Sequence, residues 1–222
     1  MKTSFNFITN DEAFATADED SNSPGIIPEH NFDFTRRWFK QRNQKTWIKY
    51  LLPLFQDDRP YNMLQIGVFE GMDLVWCLQH LLKHPDSRVV AVDPWMETRK
   101  LDQQYMEGVH DRAKHNVEPY SEKVRFVRAF SGEWLTVQTV IKRETLDLIV
   151  IDGDHTADAV FDDASLSLPL AKPGAIMVFD DVRQRVPKPH EVQAGLTRFL
   201  DEFGHKVQYV AQHRYSDIFR VI

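Results

Sequence analysis

Between residues 62 and 180 the sequence alternates between short, nearly unbroken apolar runs and longer stretches of helical periodicity. The runs are NMLQIGV (62–68), RVVAVD (88–93), VRFVRA (124–129), LDLIVID (146–152) and AIMVFD (175–180), and the spacing predicts helices over 72–84, 99–117, 131–143 and 156–170. A strand that is apolar in every position must be covered on both faces, and strands separated by helices cover themselves in that way as a parallel, doubly wound sheet. The C-terminal segment changes character, with a helix over 190–203 followed by KVQYVA and YSDIFRVI across a short connection. That pattern suits an antiparallel hairpin closing a mostly parallel, seven-stranded α/β sheet.

The flanks bound the organisation and the partners. A chain of 222 residues suits one α/β domain with an appendage, here read as an acidic arm over 1–31, a helical segment over 32–61 and the main domain over 62–222. The segment FDFTRRWFKQRNQKTWIKYLLPLF (32–55) interleaves lysines and arginines with aromatics. It is a solvated face, a patch for an anionic acceptor, or a surface for a partner chain such as a homodimer. A net charge of −6 supplies no chain-wide cationic surface for nucleic acid, so a small-molecule acceptor is the expected partner. Neither a membrane span nor a secretory segment is legible, and the single cysteine, Cys77, has no partner for an intrachain disulfide. A cytoplasmic location is the expectation.

In a doubly wound sheet, ligands sit beyond the carboxyl ends of the strands, near the point where strand order reverses. Four places at these strand ends carry unusual residues. After the first strand, QIGVFEG offers Gly67 and Gly71 for a tight turn or for close approach to a ligand at a helix start. Asp93 ends the second strand a little over 20 residues on, where a carboxylate can accept two ribose hydroxyls or cap a loop. After the third strand, Phe130 and Ser131 stand where an adenine edge could be met, although Ser131 also suits a helix N-cap. The fourth and fifth strands end in IDGDH and FDD, which bring Asp152, Asp154, His155, Asp180 and Asp181 to adjacent positions. So many carboxylates repel one another unless a cation, a cationic substrate or a shared proton offsets them. Oxygen donors of this type suit Mg²⁺, Mn²⁺ or Ca²⁺.

The stretches LQIGVFEG, VIDGDH and LAKPGAIMVFDD resemble the class I S-adenosylmethionine-dependent methyltransferases, within them a bacterial branch similar to the cation-dependent O-methyltransferases. The resemblance covers roughly residues 33–222 and implies a Rossmann-like fold. It implies that Gln65, Gly67, Val68 and Gly71 embrace the methionine part of S-adenosylmethionine, with Asp152 assisting, that Asp93 holds the ribose, and that Phe130 and Ser131 flank the adenine. It further implies a metal at Asp152, Asp180 and Asp181, with Asp154 as general base and His155 as the alternative, imidazole being a proton carrier near neutral pH. The implied activity is methyl transfer to a hydroxyl of a small molecule.

One departure from the family pattern carries weight. Gln65 stands where the family has an acid. A charge-assisted hydrogen bond to the cofactor's ammonium exceeds a neutral one by about 1 kcal/mol, so Gln65→Glu is expected to tighten binding. The same departure encourages a rival reading, a cofactor-binding protein whose catalysis has lapsed. A nicotinamide-dependent oxidoreductase is a further rival, opposed by the absence of the G-x-G-x-x-G spacing that admits a pyrophosphate.

Overall fold

The computed structural model describes residues 31–96, 103–183, 191–213 and 216–222. The expected arm over 1–31 therefore lies almost entirely outside the described residues. A seven-stranded sheet runs in the order β3-β2-β1-β4-β5-β7-β6. Its strands are β1 (Asn62–Ile66), β2 (Arg88–Asp93), β3 (Val124–Arg128), β4 (Leu146–Ile151), β5 (Ala171–Phe179), β6 (Val207–His213) and β7 (Ser216–Val221). The first five are parallel, and β7 pairs antiparallel with both β5 and β6. Strand order reverses between β1 and β4, so their carboxyl ends, Ile66 and Ile151, flank the crevice where such sheets bind ligands.

The helices are α1 (Gln41–Tyr50), α2 (Met72–His80), α3 (Gln103–Met106), α4 (Val109–Val117), α5 (Ser131–Val137), α6 (Ala157–Ser167) and α7 (Glu191–Phe203). Two cores follow from the period-two alternation of the central strands. Met63, Leu148, Val150, Ile176 and Val178 face a core shared with Trp47 of α1 and Val75 and Trp76 of α2. Leu64, Ile66, Ile149, Ile151, Met177 and Phe179 face a second core with Val160 and Ala164 of α6 and Leu196 and Phe199 of α7. The segment before β1 thus completes the first core, with Phe39, Trp47 and Trp76 packed edge to face.

Several elements differ in length from the pattern, each for a local reason. Of the helix expected over 99–117, residues 99–102 lie outside the described residues, and the rest is interrupted at Gly108, whose φ of 71° lies in the left-handed region between α3 and α4. The helix expected over 131–143 stops at Val137, because the Gln138 side chain accepts from Ile141 N and donates to Ile141 O, an alternative to continued helix. The helix expected over 156–170 ends as a 3-10 turn at Leu168–Leu170, which contains Pro169. In the region of 32–55, α1 and a 3-10 turn at Leu52–Leu54 follow an irregular run over 31–40.

Candidate active site

The glycine loop sits at the switch point. Gly67 has φ 78°, and a Cβ there would lie 1.9 Å from the Asp152 carbonyl oxygen, so glycine is what lets the ends of β1 and β4 close together. Hydrogen bonds from Gly67 N to Val92 O and from Asp152 N to Ile66 O hold the crossing, both at 2.9 Å. Asp93 organises the rest of the loop. Its Oδ2 accepts from Val68 N and Phe69 N at 2.8 and 2.9 Å, and its Oδ1 accepts from Trp95 N at 2.7 Å. Burial raises its pKa against the pull of those three amides. Asp93 therefore performs the loop-capping role, and a ribose hydroxyl would have to use its remaining acceptor capacity.

Gln65 is fully buried on the same face of β1 as Met63. Its Nε2 donates to Gly67 O at 2.9 Å and to Asp73 Oδ2 at 2.5 Å, while its Oε1 is buried without a hydrogen-bond partner. Asp73 lies in the first turn of α2. Burial pushes its pKa up to about 6, although the Gln65 bond works in the opposite direction. An acid thus stands beside the loop after all, displaced from the strand end to the helix start.

Beyond β4 and β5 the side chains divide. Oxygens of Asp152 and Asp181 and a ring nitrogen of His155 lie within 4.8 Å of one another, a group that could hold a metal ion. His155 Nε2 is 3.4 Å from Asp152 Oδ1 and 3.9 Å from Asp181 Oδ2. Asp180 turns instead to β7, where its Oδ1 accepts from the Ser216 hydroxyl. Burial and then the charge of Asp181 push the Asp180 pKa up to about 6. Burial, followed by Asp180 and Asp181, holds Asp152 well above the usual carboxylate range. Asp154 is exposed, and its Oδ1 accepts from Thr156 N at the approach to α6.

At the end of β3, Phe130 is half exposed and serves as the α5 N-cap residue with no side-chain cap bond. Ser131 is the first helical residue, with its hydroxyl beside Asp163. Sequence reasoning did not single out Asp73, Asp163 or Glu70. Asp73 could have been found by counting two residues past Gly71, and Asp163 as a lone acid on the apolar face of α6. Nothing local marks Glu70, which gathers partners from two separate segments, the run 31–40 and α4.

The sequence profile of a methyltransferase-domain family matches residues 64–182, more than half of the chain and spanning the glycine loop to the end of β5. The chain belongs to that family. No curated protein matches it closely enough to speak to its activity. Among solved structures, this family member is similar to a Bacillus cereus O-methyltransferase in complex with SAH (23% identity, 80% of each chain, TM-score 0.61). It is also similar to TomG from Streptomyces achromogenes, an O-methyltransferase of tomaymycin synthesis in complex with SAM (19% identity, 81% of this chain and 79% of that one, TM-score 0.58). A third is the O-methyltransferase NovP (13% identity, 81% and 79%, TM-score 0.62). These likenesses establish the Rossmann-like methyltransferase fold that the family resemblance implies, in keeping with the doubly wound sheet predicted by the strand pattern.

Proposed function

We propose that the protein transfers the methyl group of S-adenosylmethionine to a hydroxyl of a small molecule, with a divalent cation assisting. The observation that carries this reading is the convergence of Asp152, His155 and Asp181 at the switch point beside the glycine loop. Two carboxylates and an imidazole fit a divalent ion with open coordination positions, and the imidazole favours Mn²⁺ over Mg²⁺ among the hard cations. Bound there, such an ion supplies Lewis-acid polarisation of an acceptor hydroxyl. The family relationship and the SAH- and SAM-bound neighbours support the cofactor.

The chain's own residues supply the rest. Methyl transfer is an in-line displacement in which the S–CH₃ bond breaks as the C–O bond forms, leaving S-adenosylhomocysteine and a proton to be accepted. It requires alignment more than elaborate chemistry. The Gly67 turn and the Asp93-capped loop hold the backbone against which the cofactor lies. Phe130 presents an exposed aromatic face toward an adenine at the end of β3. With His155 turned to Asp152 and Asp181, the exposed Asp154 at the rim is the proton acceptor.

Calorimetry with Mn²⁺ and a screen of hydroxyl compounds for S-adenosylhomocysteine release test this reading. Wild type is expected to bind Mn²⁺ and to turn over at least one acceptor, while folded Asp152→Asn and Asp181→Asn proteins lose both. Equal turnover by these variants in the presence of a chelator would sink the metal-assisted mechanism. Cofactor binding with no turnover across the screen would favour a lapsed enzyme.

A further inference from the structure

The expectation that Gln65→Glu tightens cofactor binding treats Gln65 as the residue that meets the ammonium. Three features of the structure weigh against that. Gln65 is completely buried, its amide is committed to Gly67 O and Asp73 Oδ2, and a carboxylate in its place would face Asp73 oxygen to oxygen at 2.5 Å. Asp73, by contrast, is only partly buried at the start of α2, so it is the member of the pair with surface left to offer.

We infer that Asp73, oriented by the Gln65 amide, is the carboxylate that receives the ammonium of the cofactor's methionine moiety, the acid having moved from the end of β1 to the first turn of α2. This rests on the proposed S-adenosylmethionine reading. The geometry is that of a relay. Gln65 Nε2 bridges the loop carbonyl at Gly67 and Asp73 Oδ2, which fixes the carboxylate against the loop that would embrace the methionine part. The Gln65 Oε1 atom is itself buried without a hydrogen-bond partner, an acceptor left over beside the committed amide nitrogen. Burial and, after it, the neighbouring Asp93 charge both act against an unpaired carboxylate at Asp73, so a cation there is favoured. Gln65 is then a positioning residue and Asp73 the binding one.

Calorimetric titration without added metal tests the assignment, with three probes: S-adenosylhomocysteine, its deaminated analogue, and 5′-methylthioadenosine, which lacks the amino-acid moiety. Wild type is expected to prefer S-adenosylhomocysteine to the deaminated analogue by roughly tenfold, the difference between a charge-assisted and an absent contact. Asp73→Asn, nearly isosteric, should erase that preference while leaving 5′-methylthioadenosine binding unchanged, and Asp73→Ser should behave alike. Gln65→Glu should weaken S-adenosylhomocysteine binding. The double variant Gln65→Glu with Asp73→Asn relieves the oxygen-to-oxygen contact but leaves the acid at the buried position, so it should not restore the preference for S-adenosylhomocysteine, and a restored preference would overturn the assignment. If Asp73→Asn keeps the wild-type preference, or if Gln65→Glu alone tightens binding, the ammonium is held elsewhere and the inference is overturned. A wild-type protein that binds none of the three probes would overturn the cofactor reading itself, which is a separate result.

Discussion

Asp163 has little room for a charge. It is 1% exposed on α6, and burial pushes its pKa up to about 7 even with the Ser131 hydroxyl beside it. Its folded pKa lies above the unfolded value of 3.8, so the folded state holds the proton more tightly. Its cost to stability is absent below the unfolded pKa, grows through pH 4 to 7, and is complete above 7, on the order of 4 kcal/mol. Asp163→Asn should therefore stabilise the protein at pH 8 and change little at pH 4, which denaturant unfolding at the two pH values would show. Gly67 lies at the opposite extreme, where any side chain is excluded. Gly67→Ala places a Cβ against the Asp152 carbonyl at a φ of 78° and should cost more than about 3 kcal/mol, read as a lowered unfolding midpoint with loss of nucleoside binding.

At the scale of elements, the run 31–40 is tied down by one buried carboxylate. Glu70 accepts from Thr35 N and Arg36 N through Oε2, and from the Thr35 hydroxyl and Arg112 Nε through Oε1. Asn116 extends the junction, donating to Glu70 O and Asp33 O and accepting from Asp33 N. Trp38 then stacks on Phe69 of the glycine loop with centroids 4.2 Å apart. This strap couples the N-terminal segment and α4 to the loop that carries Gly67. Glu70→Gln leaves Arg112 without its counter-charge and offers one acceptor where two served, so a loss of roughly 3 kcal/mol is expected. Faster proteolytic cleavage within 31–40, alongside a lowered melting temperature, is the signature to look for, and an unchanged cleavage rate would mean the strap holds without Glu70.

For the whole molecule, the segment before β1 and the sheet share one core, and they should unfold together. Trp47→Ala, at a site 1% exposed, should cost about 3–5 kcal/mol and lower a single cooperative transition. Two transitions would separate the segment from the domain. No helix among the described residues is long and apolar enough to cross a membrane. The acids gathered around the crevice also set a pH dependence for the fold. Asp73 and Asp180 are raised to about 6, Asp163 to about 7, and Asp152 well above the usual range, burial being the first cause of each. In each case the folded state binds more protons than the unfolded one between about pH 4 and 7, so stability should fall as pH rises through that window. With chelator present, the melting temperature should be lower at pH 8 than at pH 5.5. Mn²⁺ at pH 8 should recover part of the difference in wild type but not in Asp152→Asn.

The sheet was legible from pattern, because the apolar period of each strand and helix is a local property that any covering layer must satisfy. The same runs showed where the ligand-bearing loops fall, since each strand ends where its apolar run ends. Pattern placed β2 at Arg88–Asp93, and it identified the hairpin of β6 and β7. Tertiary structure alone decided which side chains meet there. Whether Asp180 or His155 joins Asp152 and Asp181 depends on β7 bringing Ser216 against Asp180, a pairing of residues 36 positions apart. That Gln65 serves Asp73 depends on the turn from β1 into α2, and the meeting of Thr35, Glu70 and Arg112 depends on the path of a segment with no regular structure. Periodicity specifies which face a residue takes, but partners across elements are set by strand twist, helix placement and side-chain direction, which no local pattern encodes.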